Sequence, residues 1–366
     1  MKTNTISTRQ IGIITYFLCN ATFLGIGVNY LFRTSSNDSL FACIVGYLIG
    51  LLFITLFIKI TKYTTSNNII GLNQKLMGKV FGNIINFILI ITFFLISCVI
   101  LWVLTKYISG QFLNDTPTYI ISVLFIIPIA YLMFKNEETI ARSAGVLFIF
   151  SILLYVVSFL GLYNIGDINY LKPYFKDGFN HILLGGFLFA CFSTIPIFSL
   201  SIFKKEDITR TKHLNRNIIM GYSLSSLTII GIIYTILTVY GPKVATVFQF
   251  PEYSILKEIS FFDFIEKIEN ILTIQWLFDI FILISMAILF IKNAFNSLIK
   301  PTKRVLNIFT LIIIGLIVFI TNYIFESFPN LSDLIYSNYH YVIFIGIIIP
   351  FLITYIFTII KRKQLN

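Results

Sequence analysis

Charged side chains are scarce in this sequence, at 12% of the 366 residues, whereas a soluble domain carries about 25%. Hydrophobic residues make up 57%, and the mean hydropathy is +0.89. This shortage of charge excludes an ordinary soluble domain. The apolar runs are long enough, at about 20 residues, to cross a bilayer as helices. Because the runs are continuous rather than alternating, we expect helices and not a barrel.

Residue types that build catalytic and metal sites are also few. There are three histidines, all near the ends of apolar runs or in loops, which does not support a buried histidine relay. The four cysteines lie within apolar runs without metal-ligand spacing, and we interpret them as packing residues. No nucleophile motif, phosphate-binding loop or pair of intramembrane acids is present. We therefore expect no enzyme, no cofactor and no metal site.

The apolar runs predict an all-α membrane protein that forms a single integral domain over residues 1–366. About ten spans are expected. Their approximate bounds are Ile11 to Phe32, Leu40 to Ile60, Ile84 to Ile108, Tyr119 to Phe134, Val146 to Leu162, His181 to Phe203, Ile218 to Tyr240, Leu272 to Ile291, Val305 to Phe325 and Tyr341 to Ile360.

The net charge of +11 is distributed unevenly over the connections between these spans. With the N-terminus inside, the inner segments hold 20 of the 27 Lys and Arg residues, and the outer segments hold 7. The positive-inside rule therefore predicts that both termini are cytoplasmic. We relate the charge to orientation in the lipid bilayer and expect no nucleic-acid partner.

The first span contains Gly25 and Gly27 in a stretch flanked by Asn20, Thr22 and Asn29. A membrane helix must satisfy its own backbone, so a Gly-x-Gly in mid-run indicates a place where the helix opens around a ligand. Alternatively, the glycines only allow close packing of a neighbouring helix.

The sixth span is interrupted too, at Phe192-Ser193-Thr194-Ile195-Pro196. Proline frees a carbonyl one turn earlier, and we expect Ser193 and Thr194 to bond the released groups. Five spans on each side of the connection from Asp167 to Asn180 predict two inverted repeats, over about 9–163 and 180–361. Broken helices in corresponding positions of two halves indicate a binding site at mid-membrane, although a simple kink would also explain Pro196.

Asp279 is the one acidic residue clearly inside a predicted span, so it should be paired, protonated or in contact with water. Gln275 lies one turn earlier on the same face. Lys106 has a similar expected depth, so one hypothesis is an ion pair between Asp279 and Lys106. The alternative is that Asp279 extends towards the interface or bonds Gln275 and matters only for packing. With one internal acid, we expect a small apolar or zwitterionic ligand rather than a polycation. The outer segment from Gly241 to Glu269 carries apolar residues at helical spacing and should form an amphipathic helix on the outer surface or over the site.

Several short motifs, in order along nearly the whole chain, give this sequence a family resemblance. It resembles the B subunits of spore germinant receptors, the endospore germination permeases of the amino acid/polyamine/organocation transporter superfamily. The motifs are Ile6-Ser7-Thr8-Arg9-Gln10, Leu24-Gly25-Ile26-Gly27, Leu113-Asn114-Asp115-Thr116-Pro117, Lys172-Pro173 with Asp177-Gly178, and Phe250-Pro251 through Phe264-Ile265-Glu266-Lys267-Ile268-Glu269 to Trp276.

The resemblance implies two inverted five-helix repeats, with the first and sixth helices unwound around a small nutrient, in particular an amino acid. It implies that Gly25 and Gly27 bind the ligand carboxylate and that the sixth helix faces the ammonium. It also implies partner subunits of the A and C types and a location in the inner spore membrane. The implied ligand-binding residues are Thr22, Gly25, Ile26, Gly27, Val99, Val103, Ser193, Thr194, Ile195, Asp279 and Leu283.

Two positions depart from the family pattern. The fifth span, Val146 to Leu162, lacks the lysine of many proton-coupled relatives, and the outer end of the first span lacks a proline. Three functions therefore remain open: a ligand-sensing receptor subunit, a secondary amino acid transporter with Asp279 as a protonatable group, and a channel-forming subunit.

Overall fold

The part of the chain that the structure describes is almost entirely helical. A computed structural model describes residues 5–64, 67–162, 165–175, 178–209, 211–258, 270–327 and 331–361. Two short strands, Ile6–Ser7 (β1) and Ile208–Thr209 (β2), pair in parallel. The α-helices are α1 (Thr8–Thr22), α2 (Val28–Ser35), α3 (Ser39–Thr61), α4 (Ile69–Gln111), α5 (Thr118–Met133), α6 (Glu137–Leu162), α7 (Phe179–Thr194), α8 (Leu214–Ala245), α9 (Pro251–Ser254), α10 (Asn270–Ile299), α11 (Lys303–Phe319), α12 (Leu331–Ile343) and α13 (Ile349–Ile360).

Shorter helical turns of other geometry join several of these helices. The π-helical turns are Phe23–Gly27, Ile320–Ile324 and Phe344–Ile348. The 3₁₀ turns are Ser36–Asp38, Ile168–Leu171, Ile195–Ile202, Lys205–Asp207, Thr211–His213, Ile255–Glu258 and Phe325–Ser327.

The helices account for the ten predicted spans. Among the described residues, eight helical stretches are long and apolar enough to cross a membrane, and Thr118–Met133 is a shorter apolar helix. The first stretch, Thr8–Thr61, covers two predicted spans. They are separated at Ser36, whose backbone (φ 47°, ψ −125°) is not helical. The protein is therefore an integral, multi-pass membrane protein.

The two halves of the chain exchange neighbours in a reciprocal way. Helix α3, which follows the first span, packs along α7 of the sixth span, and α8, which follows the sixth span, packs along α1. This exchange is what an inverted repeat produces. Helices α1 and α8 approach closely at Gly12 and Gly221, where a Cβ atom on Gly221 would lie 2.2 Å from the carbonyl oxygen of Gly12.

The motif Ile6–Gln10 fixes the start of the first helix. The Ser7 hydroxyl accepts a hydrogen bond from the Gln10 backbone N–H, and the Gln10 side chain accepts one from the Ser7 N–H. This reciprocal capping box satisfies two otherwise free donors. Ile6 also pairs with Ile208 beyond the sixth span, so the entrance to the first span is tied to the exit from the sixth.

The connections contain one helix interruption and one predicted helix. Helix α4 begins at Ile69 and is interrupted at Gly78, where φ is 81° and ψ is 170°. The amphipathic helix predicted within Gly241–Glu269 lies partly outside the described residues, which stop at Glu258 and resume at Asn270. The described part, Pro251–Glu258, is helical, and its residue Ile255 is buried.

Candidate ligand site at the break in the first helix

The first span opens at Leu24 and Gly25 in the interior of the protein. Every residue from Ile14 to Asn29 is buried. Leu24 has an extended backbone (φ −67°, ψ 135°) and Gly25 a left-handed one (φ 85°, ψ −28°). Glycine suits Gly25 for two reasons: it tolerates positive φ, and a Cβ atom there would lie 2.2 Å from Cζ2 of Trp276. The predicted opening of the first helix is thus present.

Two backbone groups released by the break are satisfied by side chains from elsewhere. In a continuous α-helix, the N–H of Gly25 would bond the carbonyl of Ala21. Instead, the Gly25 N–H donates to Glu252 Oε1 at 2.7 Å, and Trp276 Nε1 donates to the Ala21 oxygen at 3.3 Å. The break is therefore held open by α9 and α10 rather than by solvent.

The segment that carries Glu252 is held over the break by hydrogen bonds and by contacts between aromatic rings. The side-chain amide of Asn29 donates to the backbone oxygens of Phe248 and Thr246. Four rings then form an aromatic cluster, defined here as Tyr107, Phe250, Tyr253 and Trp276. Tyr107 lies 4.5 Å from Tyr253, 4.9 Å from Phe250 and 5.3 Å from Trp276, measured between ring centroids. The break is thus closed on the side of the connection between α8 and α10.

Glu252 is a buried acid outside the membrane-spanning segments. It is 2% exposed, and burial raises its pKa from 4.5 to about 7 in spite of hydrogen bonds from its own and the Gly25 backbone N–H. Its second oxygen, Oε2, is buried and has no hydrogen-bond partner among the described residues. Glu252 therefore brings an incompletely satisfied carboxyl group into the site.

The sixth span changes geometry without unwinding. Helix α7 ends at Thr194 and continues as the 3₁₀ helix Ile195–Ile202, which contains Pro196. The carbonyl that Pro196 leaves without an N–H partner is that of Phe192, and it accepts a hydrogen bond from the Thr22 hydroxyl of the first span.

The prediction that Ser193 and Thr194 would bond the released groups was wrong. Their hydroxyls donate to the carbonyls of Phe189 and Ala190, one turn earlier in their own helix, at 2.7 and 2.6 Å. The reason is local reach, since a Ser or Thr hydroxyl in a helix meets the carbonyl four residues earlier. The long-range bond falls to Thr22, which was predicted as a ligand residue.

The other predicted ligand residues are buried, and their elements meet at the break. Residues Phe23–Gly27 contact α4 and α7, and the 3₁₀ helix Ile195–Ile202 contacts α1, α4 and α10. Gly27 begins α2. The buried apolar members of the predicted set are Ile26, Val99, Val103, Ile195 and Leu283.

Asp279 is buried, but the predicted ion pair with Lys106 is wrong. Lys106 bonds Glu326 at 2.7 Å at the surface. Asp279 Oδ1 accepts a hydrogen bond from Gln275 at 3.2 Å, as the spacing of the two residues predicted. Asp279 Oδ2 and Gln275 Oε1 are buried and have no partner among the described residues. Lys106 reaches solvent because its long side chain extends past the apolar core.

Three residues at the site were not identified as site residues from the sequence: Glu252, Tyr253 and Trp276. The first two follow Phe250-Pro251 and Trp276 ends the same motif, which gave a sequence signal without assigning their roles. His340 was expected near a run end, yet it is 1% exposed and lies 5.7 Å from Tyr30 between ring centroids. Helix α12 begins before the predicted tenth span, which places His340 inside the fold.

A polar cavity of about 560 Å³ lies at the other end of the bundle. Its residues come from the first turns of α4 and α6, the last turns of α10, and the connections after α3 and after Ile195–Ile202. These positions alternate along the chain with the connection that carries α9. The lining includes Asn68, Gln74, Glu137, Lys204, Asp207 and Asn293.

Comparisons with known proteins agree on a family. A family model described as "Spore germination protein" matches residues 5–331. Spore germination protein XB of Bacillus anthracis is 24% identical over 268 residues, covering 71% of this chain and 72% of that protein. Spore germination protein A2 of Bacillus subtilis (strain 168) is 24% identical over 358 residues, covering 93% of each.

Solved structures of similar fold are transporters. A Na⁺-coupled sialic acid symporter, in a substrate-bound outward-open state, has a TM-score of 0.63 at 11% identity, covering 94% of this chain and 79% of that one. MhsT in complex with L-phenylalanine has a TM-score of 0.60 at 16% identity, covering 95% and 87%. The likeness confirms the transporter fold of two inverted five-helix repeats.

Proposed function

This chain belongs to the spore germination protein family, and from that premise we propose that it is the ligand-sensing membrane subunit of a spore germinant receptor. A small nutrient, in particular an amino acid, binds at the break in the first helix and triggers germination. The family and fold are those of permeases rather than enzymes. The proposed location is the inner spore membrane, with both termini cytoplasmic and with A-type and C-type receptor subunits as partners.

The observation that carries this proposal is the buried opening at Leu24–Gly25, enclosed by α4, α7, α9 and α10. A released backbone N–H at the interior of a membrane protein needs a polar partner, and such openings are where transporters of this architecture bind solutes. Ligand binding would displace side chains that now bond the break. It would thereby favour one arrangement of the bundle over another, which partner subunits can detect.

The test is to reconstitute the purified protein in liposomes and to measure binding and uptake of labelled amino acids. A Gly25→Trp variant should abolish binding, because its Cβ atom collides with Trp276. Gly315→Trp is the matched control, since a Cβ atom added at Gly315 would meet no neighbouring atom within 4 Å. Binding without accumulation, lost only in Gly25→Trp, is the expected result. Absence of binding in the unmodified protein would contradict the proposal.

A second candidate is a secondary amino acid transporter, favoured by the fold of the amino-acid-bound MhsT and by the polar cavity at the opposite end of the bundle. Uptake that follows a proton gradient would support it, and Asp279→Asn would then test the protonatable group.

A further inference from the structure

The carboxylate of Glu252 already accepts the hydrogen bond from the Gly25 N–H, which is the donor that a ligand carboxylate would use. Gly25 has one N–H, and it donates to Glu252 Oε1 at 2.7 Å. A second carboxylate brought to the same donor would compete with Glu252 for one N–H, and when Glu252 is ionised the two like charges repel strongly because water is excluded. The expectation that Gly25 binds the ligand carboxylate therefore conflicts with the geometry.

Among the described residues, the unsatisfied buried polar atoms of α9 and α10 include three carboxyl or amide oxygens, along with the hydroxyls of Tyr253 and Ser285. Glu252 Oε2, Gln275 Oε1 and Asp279 Oδ2 are all buried without a partner in the described part of the chain. Neither acid forms an ion pair with a described Lys, Arg or His side chain. Buried acceptors of this kind call for a donor, and buried carboxylates call for a positive charge.

The surroundings of Glu252 suit an organic cation in particular. Trp276 lies directly against Gly25, and Tyr253 adjoins Glu252 in the chain, so the carboxylate lies at the edge of the aromatic cluster. The centroids of Tyr253 and Trp276 are 5.6 Å apart. Aromatic faces beside a carboxylate are the usual recognition chemistry for an alkylammonium group, since the rings attract the cation and its hydrocarbon part.

We propose, on the basis of the proposed function, that Glu252 makes the break in the first helix a subsite for the ammonium group of the ligand. The ligand class is a primary organic ammonium compound, and its ammonium group lies at the first helix, against the orientation implied by family resemblance. Because Glu252 is 2% exposed, the segment that carries it must move for the ligand to enter.

The experiment compares amines, amino acids and acids that share a carbon skeleton. The purified full chain in nanodiscs is titrated calorimetrically with phenethylamine, L-phenylalanine and phenylpropionate, then with ethylamine, L-alanine and propionate, and with isoamylamine, L-leucine and isocaproate. At least one amine should bind about tenfold or more tightly than the acid of the same skeleton, a difference of about 1.4 kcal/mol. Glu252→Gln should weaken the binding of that amine by about tenfold or more. Glu326→Gln, which removes an exposed carboxylate, should not.

The opposite results overturn the inference. If an acid binds as tightly as the matching amine, and if Glu252→Gln strengthens the binding of that acid, the break is a carboxylate subsite that Glu252 blocks. If Glu252→Gln fails to fold, the panel on the unmodified protein decides alone, with Glu252→Asp as the second variant. Amino acid binding that is lost in Gly25→Trp but unchanged in Glu252→Gln overturns this inference and leaves the proposed function intact. Failure of every compound to bind overturns both.

Discussion

The interruptions of the first and sixth spans solve the same backbone problem in different ways. At Leu24–Gly25 the first span unwinds, and its released N–H and carbonyl are bonded by Glu252 and Trp276 from outside the helix. At Pro196 the sixth span only changes from α to 3₁₀, and its released carbonyl at Phe192 is bonded by Thr22.

The difference follows from glycine and proline themselves. Glycine permits a left-handed backbone, which turns a donor away from the helix axis. Proline keeps a helical φ and only removes a donor, so one carbonyl is left over. The first span thus acquires a backbone donor for which, in the proposed function, a ligand competes, whereas the sixth span acquires a contact that joins the two halves.

Adding a side chain at Gly25 should have the largest effect on stability. Gly25→Ala forces a Cβ atom into a left-handed backbone and against Trp276, and we expect a loss of about 4 kcal/mol in stability. Pro196→Ala should cost little, because the helix gains a donor. Unfolding can be followed with a thiol-reactive dye, since Cys19, Cys43, Cys98 and Cys191 are free and buried. Equal melting temperatures for the two variants would contradict the comparison.

A change of pH should alter the stability of the closed segment at the break in the first span, but not that of the sixth span. Glu252 has a pKa of about 7 when the segment is closed and 4.5 when exposed, so the closed state binds the proton more tightly. The closed state is therefore unaffected below about pH 4.5 and loses stability as the pH rises towards 7, by about 3 kcal/mol in all.

This pH effect can be read from hydrogen exchange of residues 248–256, corrected for intrinsic rates. Exchange should increase from about pH 5 to about pH 8 in the unmodified protein. The nearby hydroxyl of Tyr253 stays protonated over this range, because burial raises its pKa. Glu252→Gln should abolish the pH dependence of hydrogen exchange, which would assign that dependence to Glu252 and not to Asp279. A profile that persists in Glu252→Gln would assign the effect to another group.

Removing the indole donor should have an intermediate effect on the first break. Trp276→Phe leaves the Ala21 carbonyl buried without its partner, and we expect a loss of about 2 kcal/mol. Trp102→Phe is the control, because the Trp102 indole nitrogen has no hydrogen-bond partner among the described residues. A similar loss in both variants would indicate a packing effect alone.

The smallest effect should appear at the sixth break, and it should depend on Pro196. Thr22→Val removes the donor to Phe192 and should cost about 1 kcal/mol. In a Pro196→Ala background the alanine N–H replaces that donor, so the same change should cost less. The dye assay on the two single variants and the double variant measures this coupling. Additive effects would show that Thr22 does not serve the carbonyl that Pro196 releases.

Much of the fold was predictable because a bilayer demands it. Apolar length predicted the ten spans, and the pair Gly25 and Gly27 and the single Pro196 marked the two interruptions, because glycine permits and proline forces a departure from regular helix hydrogen bonding. The inverted repeat followed from the odd number of spans in each half. The Gln275–Asp279 hydrogen bond followed from helical spacing.

The partners of the released groups were not predictable from spacing. Glu252 is 227 positions from Gly25, and Thr22 is 170 positions from Phe192. Lys106 was assigned to Asp279 from similar depth, but depth does not say which side of a helix faces which neighbour.

The sequence by itself determined that this chain crosses the membrane many times and that its first and sixth spans are interrupted, because hydrocarbon excludes unpaired backbone and because glycine and proline locally change the helix. Only the tertiary structure decided which side chains satisfy the interruptions. That choice depends on how the two repeats pack, which brings an acid from the connection between α8 and α10 to the backbone of the first helix.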